Sequence, residues 1–142
     1  MAFTFGKASR SRMMGVHPQL IALFKKVIAA SDDDFGIVSG VRTVAEQREK
    51  VRLGYSHTMH SYHLPQSDGY GHAMDFAPWV NAALSFDTGK IGLARFKRIG
   101  MLFEKTAKDM GIKIVWGGRW GWDWGHIEYR GELPRGELAK AA

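Results

Sequence analysis

Two stripes of apolar side chains at helical spacing constrain the fold of this chain more than any other feature. Leu20, Leu23, Phe24, Val27 and Ile28 recur at the three- and four-residue steps of one helix face. Phe96, Ile99, Phe103, Ala107 and Met110 do the same further along. Pro18 stands at a first helical position, where its missing N–H is harmless, so one helix is expected over 18–30. Gly111 ends the other, expected over about 90–110. Short apolar segments bounded by turn residues, at 35–39, 72–79, 113–116 and 126–129, read as strands. Thr43 with Glu46 three residues on makes a capping-box pattern, which starts a further helix through about Leu53. Residues 1–16 read as an extended lead-in and 54–70 as a long loop rich in His, Ser, Gly and Pro. Residues 81–90 read as a turn-rich connection, and 117–125 as a Gly/Trp loop. The order α-β-α-β-α-β-β, with no repeat or linker, predicts one α+β domain over residues 1–130. Its helices would pack on a small, largely antiparallel sheet. Residues 131–142 read as a polar, poorly ordered tail.

Composition narrows what such a domain could do. The 142 residues suffice for one real core but not for two typical domains. No cysteine is present, which removes disulfides and thiolate metal sites; any zinc must sit on His, Asp or Glu. The formal net charge of +6 favours polyanionic surroundings. The basic residues are scattered rather than gathered in an arm, which suits attraction to a charged surface better than base readout. The first residues carry no signal-peptide core, and no apolar run approaches the roughly 20 residues of a membrane span. The expectation is a monomer made in the cytoplasm, without stable membrane insertion and without nucleic acid as partner.

Chemistry concentrates in two segments, Ser61-Tyr62-His63 … Gly71-His72-Ala73-Met74-Asp75 and Trp122-Asp123-Trp124-Gly125-His126-Ile127-Glu128. A lone histidine carries little weight, but Asp75 lies inside an apolar strand, where a carboxylate is expensive to bury unless a cation or donors satisfy it. His126 opens a strand directly after a Gly-rich loop. Two histidines, a carboxylate and a spare carboxylate match what a zinc hydrolase needs: three ligands, an open position for water, and a proton acceptor.

The first segment resembles the Ser-x-His … Gly-x-Ala-x-Asp motif of the zinc D,D-carboxypeptidase and L-alanyl-D-glutamate endopeptidase family, and the second resembles its Asp/Glu-x-x-His-x-Glu counterpart. Phe5-Gly6-Lys7, Ile37-Val38-Ser39-Gly40-Val41-Arg42-Thr43 and Asp75-Phe76-Ala77-Pro78 are also similar to its single-domain phage endolysin members. The similarity runs from the first residues to about Glu128. It implies a hedgehog-like zinc peptidase fold, with His63, Asp75 and His126 as Zn2+ ligands. It further implies Asp123 as general base and Arg42 as the stabiliser of charge on the scissile carbonyl. The substrate implied is bacterial peptidoglycan, cut at the L-alanyl-D-glutamate bond of the stem peptide after a holin opens the inner membrane. A D-alanyl-D-alanine carboxypeptidase is the alternative enzyme. A basic nucleic-acid-binding module and a wall-binding module, both without catalysis, are the rivals from outside the enzymes.

The stretch between His63 and Asp75 is longer than the family's usual spacing, with Pro65-Gln66-Ser67-Asp68-Gly69 as the extra loop. This leaves His72 and His60 as rival partners for Asp75. His63 is preferred, because residues 72 and 75 differ by an odd number and point to opposite faces of a strand. His57 and His60 read as loop residues at the entrance. Glu128 shares the face of His126 and is expected to orient it. His72 is expected to support the ligands or touch substrate. Four of the five tryptophans fall between residues 116 and 124. Trp116 reads as core, whereas Trp122 and Trp124 are expected to line the cleft and grip substrate.

Overall fold

In the computed structural model, which describes residues 2–56 and 58–133, the start of the chain is not simply extended. It carries a short helix, α1 (Lys7–Arg12). The segment has no apolar stripe and buries none of its residues, so its periodicity gives no signal. Tertiary hydrogen bonds hold it against the strand β1 (Phe35–Ser39). Ser9 Oγ accepts the Ile37 N–H at 3.0 Å, and Arg12 donates to the Ile37 carbonyl at 3.0 Å. The outer edge of β1 is thereby covered.

The first apolar stripe forms α2 (Pro18–Ala30), with the His17 ring accepting the Gln19 N–H as N-cap. Thr43 and Glu46 make the expected reciprocal capping box at the start of α3 (Val44–Arg52). Then follow β2 (Ala73–Val80), β3 (Ala83–Leu84), α4 (Lys90–Met110), β4 (Ile112–Trp116), a 3₁₀ turn (Gly117–Trp120) and β5 (His126–Glu132). The hairpin joining β2 to β3 is absent from the sequence reading. Its two-residue turn puts Asn81 and Ala82 at positive φ (52° and 64°), and the usual glycine signal is missing. The last strand runs past the expected end at Tyr129, because Glu132 pairs with Ile112. Residues 134–142 of the expected tail lie outside the described residues.

The strand order is β1-β2-β5-β4, with β3 on β2, and every ladder is antiparallel. This is the α+β architecture expected. Helices α2 and α4 cover one face, where Phe24, Phe76, Phe103, Ile99 and Ile127 are fully or almost fully buried. The Phe103 ring lies 4.5 Å from Phe24 and 5.3 Å from Phe76, centroid to centroid. Burial of each such side chain contributes about 1.5–3 kcal/mol. No helix among the described residues is long and apolar enough to cross a membrane.

Gly100 lets α4 approach β4. A Cβ at this position would stand 2.1 Å from Cε2 of the buried Trp116 ring, a rigid neighbour that cannot swing aside. Trp116 in turn donates its indole N–H to the Trp124 carbonyl at 2.8 Å. Gly100→Ala is expected to destabilise the protein by about 2–3 kcal/mol and to lower Tm by about 5–10 °C, read by thermal melting.

Candidate active site

Alternation along β2 sends Met74 and Phe76 into the helix-covered core and Asp75 to the opposite face. Along β5, Ile127 enters the core while His126 and Glu128 face the same way as Asp75. The register sets Asp75 directly opposite His126, and Ala73 opposite Glu128. Two candidate ligands 51 residues apart in sequence are thus neighbours through strand pairing alone. His63 arrives from the loop between α3 and β2 and is buried.

The tautomers follow from the partners. His63 Nδ1 lies 2.8 Å from the Gly40 carbonyl, which can only accept, so Nδ1 carries the proton and the Nε2 lone pair is free. That Nε2 stands 3.1 Å from Asp75 Oδ2. His126 Nε2 lies 2.8 Å from Glu128 Oε1, and Nδ1 lies 3.0 Å from Asp75 Oδ1. The His63, Asp75 and His126 donor atoms all fall within 4.8 Å of one another. Each imidazole has its outward nitrogen held by an acceptor and its inward nitrogen aimed at one point, the arrangement typical of metal-ligating histidines. A nitrogen, nitrogen, oxygen set suits zinc.

Without a cation, these groups hold one another's charge. Burial pushes the Asp75 carboxyl up, but the His63 and His126 imidazoles overcome this and hold it well below the usual carboxylate range. Burial lowers His126, yet hydrogen bonds to Asp75 and Glu128 push it up to about 10. Glu128 is lowered: burial opposes this, and hydrogen bonds from His126 and Arg130 outweigh it. Asp123 behaves differently. It makes no close pair, its Oδ2 lying 3.9 Å from His126 Nδ1. Burial first and the Asp75 charge second raise its carboxyl above the ordinary value. Of the three carboxyls at the centre, it alone is raised. Its loop is held close by Gly117, where a Cβ would meet the Asp123 carbonyl at 2.3 Å.

Arg42 completes the centre. Its Nη2 lies 3.3 Å from Asp75 Oδ2 and its Nη1 donates to Gln47 Oε1 at 3.2 Å. Its Nε is buried with no partner among the described residues. Gln47, fully buried, also donates to Ser56 Oγ and the Thr58 carbonyl at 2.9 and 2.8 Å. One amide therefore ties the guanidinium to the wall of the cleft. Nothing in the sequence except its helical position next to Arg42 marked it. Gln47→Leu takes the acceptor from Arg42 Nη1 and leaves the Thr58 carbonyl with only the longer bond from Ser56 Oγ, at 3.3 Å. It is expected to lower stability by about 1–3 kcal/mol, checked by thermal melting.

The centre opens into a cleft of about 960 Å³ whose lining includes Arg42, His63, Asp75, Trp122, Asp123 and His126. The comparisons with known proteins cover this whole arrangement. Residues 1–138 match the family described as phage L-alanyl-D-glutamate peptidase. The chain belongs to that family. It is 33% identical over 140 residues to the L-alanyl-D-glutamate peptidase of Escherichia phage T5, an alignment covering 96% of this chain and 93% of the relative. Among solved structures it is similar to the Serratia marcescens L-Ala D-Glu endopeptidase ChiX, with a TM-score of 0.75 and 29% identity. That match covers 92% of this chain and 90% of the other.

Two expected site residues of this phage-peptidase family member stand elsewhere. His72 faces away from the cleft, as strand parity requires, and pairs with Asp68 at 2.8 Å on the far side of the sheet. There it joins His17, whose ring stacks on Tyr129 at 4.2 Å. His17, His72 and Asp68 bring three donors together. However, His17 Nδ1 accepts the Gln19 N–H at 3.1 Å, so Nε2 carries the proton and serves as a donor towards Asp68 rather than as a ligand. Trp124 is half-buried against Trp116, ring centroids 6.1 Å apart, and does not line the cleft. Trp122 does, and so do Trp120, Tyr55 and Phe86. Trp120 is close to the centre, its ring 5.4 Å from that of His126. Tyr55 and Phe86 were missed by the sequence reading; their signal was a large aromatic set in a polar, turn-rich segment. His60 lines the cleft, and His57 lies outside the described residues.

Proposed function

We propose that this chain is a zinc-dependent endopeptidase that hydrolyses the L-alanyl-D-glutamate bond of the peptidoglycan stem peptide, and that it serves as a phage endolysin. The observation that carries this reading is the convergence of His63 Nε2, Asp75 and His126 Nδ1 beside Asp123, whose Oδ2 lies 3.9 Å from His126 Nδ1. It occurs in a chain of the phage L-alanyl-D-glutamate peptidase family.

His63, Asp75 and His126 would hold the ion. A zinc ion bound there supplies Lewis-acid polarisation of a water and of the scissile carbonyl. Asp123 takes the proton from the attacking water and delivers it to the departing glutamate nitrogen, a role that its raised carboxyl suits. Arg42, fixed by Gln47, donates to the oxygen on which negative charge develops. Glu128 keeps His126 in its ligating orientation. Trp120 and Trp122, both exposed, present an apolar wall of the cleft for the substrate to cover. The remainder of the reading is synthesis in the host cytoplasm, holin-mediated release and action on the wall as a monomer. The net charge of +6 then gives salt-sensitive attraction to the anionic wall.

The test is digestion of purified peptidoglycan with and without a chelator, followed by end-group labelling. New D-glutamate amino termini, lost on chelation and restored by zinc, are expected. Release of free D-alanine instead would transfer the assignment to a D-alanyl-D-alanine carboxypeptidase. Intact peptidoglycan in the presence of bound zinc would sink the enzyme reading.

A further inference from the structure

Alternation along β5 carries a third polar side chain onto the face of His126 and Glu128, and that residue is Arg130. Its Nε donates to Glu128 Oε2 at 2.6 Å, and its guanidinium carbon sits 4.6 Å from the Tyr62 ring centroid. Glu128 uses its other oxygen to hold His126. One buried carboxylate thus fixes both the candidate ligand and a cation a short distance along the cleft. The Arg130 side chain remains partly exposed, it lines the cleft, and Nη1 has no hydrogen-bond partner among the described residues. Lys50 lines the same cleft, its Nζ 5.4 Å from the Tyr55 ring centroid, with no carboxylate partner among the described residues. Arg42 differs from both, since its two Nη atoms are engaged by Gln47 and Asp75.

The substrate chemistry supplies a matching anion. A glutamate within a peptide keeps one carboxyl free, whichever of its two carboxyls continues the chain, and that carboxylate lies within a few bonds of the scissile nitrogen. We propose that Arg130, assisted by Lys50, forms the subsite that reads this free carboxylate and so sets the preference for glutamate on the leaving side. The inference rests on the endopeptidase reading above. Arginine suits the task because its planar fork matches a carboxylate, and the Glu128 and Tyr62 contacts order it in advance.

The test uses two peptides spanning the L-alanyl-D-glutamate bond, identical except that the free glutamate carboxyl is an acid in one and a carboxamide in the other. Wild type is expected to favour the acid by roughly 10- to 100-fold in kcat/KM, mostly through KM. Arg130→Gln and Lys50→Gln should each shrink that ratio by slowing cleavage of the acid alone, and Arg130→Lys should retain part of it. An equal loss on both peptides would reduce Arg130 to a brace for Glu128 and overturn the proposal. So would equal rates on the two peptides in wild type. Lys50→Gln, farther from the candidate ligands in the chain, reports on the same subsite should Arg130→Gln lose its zinc. Failure of wild type to cut either peptide would instead remove the endopeptidase reading beneath it.

Discussion

Asp123→Ala is expected to bind zinc as wild type does and to hydrolyse peptidoglycan about 10²- to 10⁴-fold more slowly. The carboxylate stands 3.9 Å from His126 Nδ1 and belongs to no close ion pair, so its removal leaves the three candidate ligands and their supports intact. It does remove the group whose carboxyl is raised by burial and by the Asp75 charge. The geometry therefore predicts a separation of two observables, unchanged metal content and collapsed turnover. Metal analysis and release of amino termini, measured on the same preparation, check it. Asp123→Asn should fail similarly, since the amide keeps the shape but cannot take a proton. Loss of zinc from Asp123→Ala would recast the residue as a ligand, and near-normal turnover would require another base.

Asp75→Ala is expected to lose both zinc and activity, the latter to background, while the fold persists. Two imidazoles make a poor site without the anion that both face. The core that α2 and α4 build lies on the other side of the sheet and includes neither histidine. Wild type should melt higher with zinc than with chelator, since a ligand that binds only the folded state stabilises it by about 4 kcal/mol at a thousandfold excess over Kd. Asp75→Ala should show no such difference. Far-ultraviolet circular dichroism separates loss of metal from loss of structure. Acidification should mimic chelation in wild type, because imidazole and carboxylate ligate only when deprotonated.

The parts of this molecule that sequence reading reaches are those governed by local rules. The helix from Pro18 to Ala30 and that from Lys90 to Met110 follow from their stripes and end signals. The capping box at Thr43 is visible for the same reason. Strand parity alone separates His72 from Asp75, and the far-side pairing of His72 with Asp68 agrees. What escapes is whatever depends on distant partners. The helix Lys7–Arg12 is held by hydrogen bonds to β1 rather than by a stripe of its own. The Gln47 bridge joins three segments that no spacing rule connects. Trp124 and Trp122 have the same composition around them, yet only the path of the loop decides that one packs on Trp116 and the other lines the cleft.

The strand order has a consequence for the timing of assembly. Among the described residues the last strand, β5, occupies an interior position in the sheet, between β2 and β4, and β4 pairs with no other strand. A nascent chain that has not yet delivered His126 lacks both one of the three candidate ligands and the middle of its sheet, so no earlier fragment can hold the complete candidate set. Closure of the sheet and completion of the candidate ligand set are therefore a single event, which waits on the segment that carries β5.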